Sequence, residues 1–406
     1  MVIHEFFHHY FPRINKELKE FYAAIAIRGL AIHMITIFEP IYIYIHFGNS
    51  LPKTFLYFGA SSLIFGVFSP WALRLTKRIG IKHTMLLSVP FLFAYYVGLW
   101  NIDKLGVLIL ILPLFAALER LLFWPAYHIA FTRFSDKGKR GREVSLRTML
   151  LSATAVIAPF IGGIIIQELG GFTVLFAVVL ALLFAAVIPL FMTKEVYEGD
   201  HETVKMVFRE LKSKKYRRKV LGLGSLASDL ALHAFVWPVF LFILAINFET
   251  LGAITSATLF LGMIFTFYVG RKSDDSGSEK VLSVGAFLNA VIWPFKIFVN
   301  SPLTAFLADA LHRFGRTSSH ISVGTIIYEW AGENAANRDR FIIIREAALN
   351  IARGLILFLF ALLSVFSFPL AWMFALGPIF ALGQLFVIDK PRRLLKETSK
   401  EFAKED

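Results

Sequence analysis

The stretch of residues 169–193 reads LGGFTVLFAVVLALLFAAVIPLFMT and contains no Asp, Glu, Lys or Arg. An α-helix rises about 1.5 Å per residue, so about 20 apolar residues cross the ~30 Å hydrocarbon layer of a bilayer. The stretch is therefore predicted to span a membrane. The composition of the rest of the chain indicates whether this is the only predicted span.

The whole chain has the same apolar character. Of its 406 residues, 57% are hydrophobic and 17% are charged, whereas soluble domains have about 45–50% and 25%. The chain has no Cys, which excludes disulfides, thiolate metal sites and thiol nucleophiles. The composition predicts an all-α integral membrane protein with about twelve spans of roughly 20 residues each.

Other uncharged stretches supply further spans. They are residues 54–73, 84–102, 148–167, 250–270 and 354–388, the last of which is long enough for most of two helices. The remaining predicted spans contain charged residues and cover 21–46, 104–131, 220–246, 281–299, 303–330 and 342–366. Together these stretches predict twelve transmembrane helices.

The basic residues between the spans predict the orientation of the chain, because Lys and Arg are retained on the cytoplasmic side. With a cytoplasmic amino terminus, 32 of the 42 Lys and Arg lie in inner segments and only Lys53 and Lys104 in outer loops. Both termini are therefore predicted to be cytoplasmic, in a cell-membrane protein without a cleavable signal peptide. The net charge of +13 is then a collar facing anionic lipids rather than a nucleic-acid site.

Two patterns repeat at about half the chain length. Residues 30–33, Leu-Ala-Ile-His, recur as Leu-Ala-Leu-His at 230–233, and prolines follow the two copies at Pro40 and Pro238. At an offset of 198, Arg140, Arg142 and Arg147 match Arg338, Arg340 and Arg345. Internal repeats are common in transporters.

The repeat places the domain boundaries on either side of a basic linker. The predicted units are a six-helix bundle at 1–193, a linker at 194–219, a second six-helix bundle at 220–390 and a tail at 391–406. Within the linker, residues 203–219 are predicted to form a surface helix.

Three motifs have a recognisable spacing. Between predicted spans 8 and 9 stand Gly270, Asp274, Gly277 and Lys280. The matching loop between spans 2 and 3 keeps Arg78, Gly80 and Lys82 but has Leu73 and Lys77 in place of the leading Gly and the Asp. Span 5 contains Pro159, Gly162 and Gly163, and span 4 contains Arg120.

With these motifs the chain resembles the major facilitator superfamily over nearly its whole length. The resemblance implies two six-helix bundles that work by alternating access, with spans 1, 4, 7 and 10 lining a central cavity. The longer antiporter motif of span 5 is incomplete, because Ser145, Thr154 and Ala158 stand where it has Gly.

The resemblance also implies an inner gate. In the family, the Asp of the second loop caps the start of span 5, so Asp274 is expected to approach residues 140–147. At the matching position of the first loop stands Lys77, whose positive charge cannot cap the start of span 11. The gate is therefore expected to be asymmetric. The gate residues are Lys77, Arg78, Gly80, Gly270, Asp274, Gly277 and Arg142.

Charged residues inside spans give independent evidence for a site, because each costs about 2.5–3.5 kcal/mol at the bilayer centre unless it is paired or wet. They concentrate in spans 1, 4, 7 and 10. In span 10, Asp309, Arg313, Arg316 and His320 share one helical face. Intramembrane ion pairs that hold helices together are the alternative interpretation.

Basic residues outnumber acids within the spans, which favours an anionic or zwitterionic small molecule. The predicted substrate-binding residues are Arg28, Arg120, Arg313, Arg316, His320 and Arg353. The predicted proton-coupling residues are Glu119, Asp229, Asp309, His33 and His233. Packing through hydrogen bonds is an equal alternative for the two histidines.

No cofactor, metal or enzymatic activity is predicted. Residues 222–227 match a loose dinucleotide fingerprint but open a membrane helix instead of following a strand. His4, His8 and His9 fit an amphipathic interfacial segment better than a metal site.

The sequence thus predicts a monomeric, proton-coupled secondary transporter of a small molecule, in contact with membrane lipids. A proton-driven drug efflux antiporter remains an alternative. A non-transporting membrane protein or lipid scramblase is an alternative from another class.

Overall fold

The computed structural model describes the backbone of residues 16–134, 140–193, 195, 204–214, 216–332 and 338–388. Side chains are described in the same ranges apart from residues 73, 77, 132–134, 140–145, 205, 267, 270, 273–276, 328–332 and 338–340. The side chains of Lys77, Asp274 and Arg142, on which the predicted gate depends, lie outside the described residues.

Nearly all of the described residues are helical. In the first half of the chain the helices are α1 (Lys16–Thr36), α2 (Glu39–His46), α3 (Leu51–Ile79), α4 (Ile81–Trp100), α5 (Ile102–Leu105), α6 (Leu112–Phe134), α7 (Arg140–Glu168) and α8 (Gly171–Met192). A 3-10 segment, Gly106–Ile111, joins α5 to α6.

The second half begins with a short helix in the linker. Its helices are α9 (Val204–Leu211), α10 (Arg217–Ala231), α11 (Trp237–Ile243), α12 (Phe248–Ser276), α13 (Ser278–Phe295), α14 (Pro302–Gly332), α15 (Arg338–Val365) and α16 (Gly377–Gly383). A π-helical segment, Leu232–Val236, joins α10 to α11, and 3-10 turns follow α13 and flank α16.

Ten of the helical segments are long and apolar enough to cross a membrane, and an eleventh is added when the bent pair α1 and α2 is taken as one span. The stretch 169–193, predicted as a span, is observed as α8. On α8, Phe184, Ile188 and Phe191 are mostly exposed and share one face. Such a face is the one expected against lipid.

The prolines that follow the two repeat copies distort the first span of each half in different ways. The proline ring lacks an N–H and collides with the carbonyl four residues earlier. Pro40 accordingly lies in the first turn of α2, and its collision partner Thr36 is the last residue of α1. The bend between α1 and α2 is 45°. Pro238 is the second residue of α11, which follows the π-helical segment without a gap, so residues 217–243 form one continuous span.

Two repeat-related glycines also end helices. Gly80 separates α3 from α4 at φ +95°, and Gly277 separates α12 from α13 at φ +83°. These left-handed values strain any residue with a Cβ. Of the predicted gate residues, these two therefore have a local structural role, because they set the turn between consecutive long helices.

Helices of each half pack mainly with one another, and in the described part of the chain two helix pairs make the most extensive contacts between the halves. In the first half α1 packs against α7 and α8, and α6 packs against α3 and α4. In the second half α14 packs against α12 and α13, and α10 packs against α15. The halves meet where α3 packs against α15 and α7 against α12.

The linker differs from the prediction. Residues 203–219 do not form one helix, because α9 ends at Leu211 and Arg217 already begins α10. Val207 of α9 is buried, and Phe208 contacts Trp71 with ring centroids 5.8 Å apart. This short helix is therefore packed onto α3 instead of lying free on the surface.

Candidate functional site

A cavity of about 260 Å³ lies among the helices of the first half and the π-helical segment of the second. Its polar lining residues are Arg28, Thr36, Glu39, Tyr57, Ser61, Ser62, Tyr95, Tyr96, Glu119 and Arg120. Apolar contacts from Phe58, Trp124 and Phe235 complete much of the wall. Four ionisable groups thus share one space inside a membrane protein. We call this space the central cavity.

Arg28 and Glu119 form an ion pair on the cavity wall. The guanidinium of Arg28 in α1 donates to the carboxylate of Glu119 in α6. The Arg28 guanidinium also lies 3.7 Å from the ring centroid of Phe123. The two side chains retain 13% and 6% of their exposure. Water screens a pair at this depth only weakly, so each charge depends on its partner.

Arg120, the neighbour of Glu119 in sequence, has a different environment. Its Nη2 donates to Ser61 Oγ at 2.5 Å and its Nε to the Ala116 carbonyl at 3.2 Å. Phe65 lies beneath it, with 5.5 Å between the guanidinium carbon and the ring centroid. These hydrogen-bond partners are neutral, so the guanidinium is available to an anionic group in the central cavity.

Glu39 lies at the bend of the first span. It is the first residue of α2, and its carboxylate accepts a hydrogen bond from Tyr95 Oη at 2.6 Å. Arg28 and Glu39 are eleven residues apart in sequence, a spacing that places two residues on one face of a straight helix, but this bend separates them. The two residues consequently have separate partners on α6 and α4.

The two halves touch on both sides of the central cavity. On one side Phe38 meets Phe248 and Tyr44 meets Phe242, with ring centroids 6.0 and 6.4 Å apart. On the other side Ile343 of α15 belongs to one apolar cluster with residues of α1 and α6. The cavity is therefore bounded at both ends by contacts between the halves.

A second group of charges is buried within the second half. Asp309 of α14 is 3% exposed, and its Oδ2 accepts hydrogen bonds from Thr258 at 2.7 Å and Arg313 at 3.3 Å. Its Oδ1 accepts from Lys296 Nζ at 3.2 Å. Two cations and one carboxylate thus share this region, which we call the Asp309 cluster.

Asp229 lies in a separate hydrogen-bonded position of the same half. Its Oδ1 accepts from Trp293 Nε1 at 2.6 Å and from Asn289 Nδ2 at 3.0 Å. Oδ2 has no hydrogen-bond partner among the described residues. Arg316 interacts with Asp229 electrostatically, and its buried Nη1 likewise lacks a hydrogen-bond partner in the described part of the chain.

Arg353, one of the predicted substrate-binding residues, lies in a chain of hydrogen bonds along α15. Arg353 Nη1 donates to Asn350 Oδ1 at 3.2 Å, and Asn350 Nδ2 donates to the Glu346 carbonyl at 2.9 Å. Glu346 itself is paired with Arg345. Arg353 therefore has a neutral hydrogen-bond partner, as Arg120 does.

The repeat-related histidines have different surroundings. His33 Nδ1 lies 3.3 Å from Thr154 Oγ1, whereas His233 Nδ1 lies 3.6 Å from Asp309 Oδ1. His320 is exposed, although it is predicted on the same face as Asp309. Among the described residues, this face does not line the central cavity.

The loop between α3 and α4 contains a contact that the sequence does not reveal. Glu195, which follows α8, accepts backbone hydrogen bonds from Lys82 at 3.0 Å and His83 at 2.9 Å. These N–H groups belong to the first turn of α4, where the helix dipole favours a carboxylate. A capping acid is therefore present beside Gly80, at the start of α4.

Several site residues escape the sequence prediction. Lys296, near the end of a predicted span, is not among the predicted site residues, but it is completely buried beside Asp309. Thr258 and Tyr95 are uncharged, so charged residues inside the spans do not indicate them. Their position beside Asp309 and Glu39 depends on packing between helices.

Comparisons with known proteins fit this arrangement. The family model described as Major Facilitator Superfamily matches residues 21–248, more than half of the chain. The chain belongs to the Major Facilitator Superfamily. It is accordingly a multi-pass membrane protein of a transporter family. No curated protein matches the sequence.

Solved structures of this superfamily fold are similar over nearly the whole chain. A D-xylose-proton symporter has 13% identity and a TM-score of 0.69, and the match covers 91% of this chain and 96% of that one. A bacterial homologue of the iron transporter ferroportin, in its inward-facing state, has 12% identity and a TM-score of 0.68, with coverages of 93% and 99%. At these identities the likeness concerns the fold.

Proposed function

We propose that the protein is a proton-coupled secondary transporter of a small anionic or zwitterionic molecule, and that the substrate binds in the central cavity. The ion pair of Arg28 and Glu119 on the cavity wall is the observation that carries the proposal. Secondary transport is the activity of its superfamily. The substrate class and the coupling ion follow from the charges in the cavity.

The proposal includes twelve spans in two six-helix halves with both termini in the cytoplasm. The ten apolar helices and the bent pair α1 and α2 give eleven spans. The twelfth is α14, a helix of 31 residues whose apolar character is reduced by Asp309, Arg313 and Arg316. The 32 to 2 distribution of basic residues supports the orientation.

The charges in the central cavity link the binding of a proton to the binding of an anionic substrate. Arg28 and Arg120 face Glu39 and Glu119, so the four groups balance when all are ionised. A proton on Glu119 ends its attraction for Arg28 and leaves one excess positive charge in the cavity. An anionic substrate then restores the balance, so proton and substrate favour each other's binding.

Arg120 is the proposed anchor for the substrate's anionic group. Its hydrogen-bond partners are neutral, and a planar guanidinium binds carboxylate or phosphate through two hydrogen bonds. Asp309 is less suited to proton coupling than Glu119, because two cations, Lys296 and Arg313, already neutralise the Asp309 carboxylate. His233 lies beside the same carboxylate and outside the central cavity.

The test begins with a ligand screen. The purified protein is heated with anionic, zwitterionic and cationic metabolites, and a bound ligand raises its melting temperature. The identified ligand is then tested in proteoliposomes containing a pH-sensitive dye. We expect substrate entry to carry protons in the same direction. Proton movement opposite to a lipophilic drug supports the efflux alternative instead.

Glu119→Gln separates coupling from binding. We expect this variant to exchange substrate across the membrane but to move no protons with it. Glu279→Gln, which removes an exposed carboxylate at the start of α13, is the matched control and retains coupling. A Glu119→Gln variant with unchanged proton movement contradicts the proposed mechanism.

A further inference from the structure

Three potential metal ligands converge in the second half of the chain. His233 belongs to the π-helical segment, and Asp309 and His312 lie one turn apart on α14. One ligand atom from each lies within 4.8 Å of the other two. Two imidazoles and a carboxylate are a ligand set that proteins use for divalent transition metals.

The histidines lack the hydrogen bonds that burial normally requires. His312 is completely buried, and neither of its ring nitrogens has a partner in the described structure. His233 Nδ1 has none either. A neutral imidazole has one donor and one lone pair, and leaving both unsatisfied away from water is costly. A metal ion can accept the lone pair.

Asp309 has the environment of a carboxylate that is oriented for a cation. Its Oδ2 is held by Thr258 and Arg313, while Oδ1 points toward His233, 3.6 Å from its Nδ1. Metal-binding side chains are usually fixed in this way by hydrogen bonds from a surrounding shell. The Oδ1 side of the carboxylate therefore lies toward His233 and is the side on which a metal ion would be bound.

A cation already occupies this side. Lys296 Nζ lies 3.2 Å from Asp309 Oδ1 and 3.8 Å from the ring centroid of Trp237. Lys296 belongs to a 3-10 turn at the end of α13, and a lysine near a helix end has a path to the membrane surface. Its side chain is completely buried beside the rings of Trp237 and Trp293, so a metal ion can bind only if the ammonium moves past these rings.

We propose that His233, Asp309 and His312 bind a divalent transition metal ion of the Zn²⁺ or Co²⁺ type, and that the Lys296 ammonium takes the ion's place when no metal is bound. Tetrahedral ligands at about 2.1 Å from an ion are about 3.4 Å apart, so the three side chains need only a modest contraction. Arg313 stays on Oδ2 in both states.

The site is separate from the central cavity, so metal binding is measured without transport. The purified full chain is titrated with Co²⁺, whose tetrahedral complexes absorb visible light, and Zn²⁺ is then added to displace it. We expect a tetrahedral Co²⁺ spectrum that Zn²⁺ abolishes. His312→Ala weakens binding by at least about 10-fold. His128→Gln, which removes a histidine outside the cluster, leaves binding unchanged.

Lys296→Gln distinguishes this site from incidental binding by other histidines. Removal of the competing ammonium is expected to tighten Co²⁺ binding by about 10-fold or more, whereas a site elsewhere is unaffected. Absence of the tetrahedral spectrum overturns the proposal. So does equal affinity in the wild type and Lys296→Gln, even if His312→Ala does not fold. Either result leaves the proposed transport through the central cavity intact.

Discussion

The ion pair between Arg28 and Glu119 predicts strongly non-additive effects on stability. Arg28→Met leaves the Glu119 carboxylate, which is 4% exposed, without its partner, and breaking a buried pair in this way costs about 3–5 kcal/mol. Glu119→Gln leaves an arginine that still lies over Phe123 and can donate to the new amide. We expect a loss of only about 1–2 kcal/mol for this variant.

The double variant contains neither charge. Replacing both members of a buried pair by neutral groups of similar size is often close to neutral, so we expect it to be about as stable as Glu119→Gln alone. The coupling energy of the cycle is then about 3–5 kcal/mol, which equals the loss expected for Arg28→Met alone. Additive single effects, to within about 0.5 kcal/mol, refute the argument that each charge depends on the other.

The free energy of unfolding is measured in mixed detergent micelles, where the fluorescence of the 7 Trp residues reports unfolding. A matched control cycle uses His46 and Asp103, which lie 3.3 Å apart with Asp103 85% exposed. Exposed pairs of this kind contribute little. The control cycle should therefore show no appreciable coupling.

Two further predictions concern topology and helix contact. In this chain without cysteines, Ser50→Cys should react with a membrane-impermeant thiol reagent in whole cells and Gly138→Cys should not; the reverse pattern contradicts the proposed orientation. Gly66→Ala should destabilise the protein by about 1–3 kcal/mol, because the added Cβ lies 2.7 Å from the Ile351 backbone nitrogen. Gly59→Ala on the same helix is the control for thermal unfolding, since its Cβ meets α15 at an ordinary 3.4 Å. Equal melting temperatures for both variants argue against this close approach.

The sequence predicts the apolar part of each helix well but not its full length. The uncharged stretch 148–167 lies within α7, which begins at Arg140, and 54–73 lies within α3, which continues to Ile79. Hydropathy detects the hydrocarbon layer, whereas backbone hydrogen bonds continue into the polar interface. The ends of helices are therefore less visible in the sequence than their centres.

Contacts along one helix are predictable, and contacts between helices are not. The spacing of Asp309 and Arg313 indicates their observed hydrogen bond, because residues four apart share a face. The spacing of Arg28 and Glu119 contains no such information, since the pair depends on how α1 lies against α6. Lys296 shows the same limit, because only the tertiary structure reveals that it points inward.

The bend at Pro40 and the π-helical segment before Pro238 have a consequence for how one end of the cavity can open. A bend at a proline disrupts few backbone hydrogen bonds, because Pro has no N–H to lose. The short helices α2 and α11 follow these two irregular points and touch through Tyr44 and Phe242. They can pivot apart while α1 and α10 keep their places. Release of a molecule at this end then requires motion of these two short helices, and the extensive contact between α3 and α15 can stay intact.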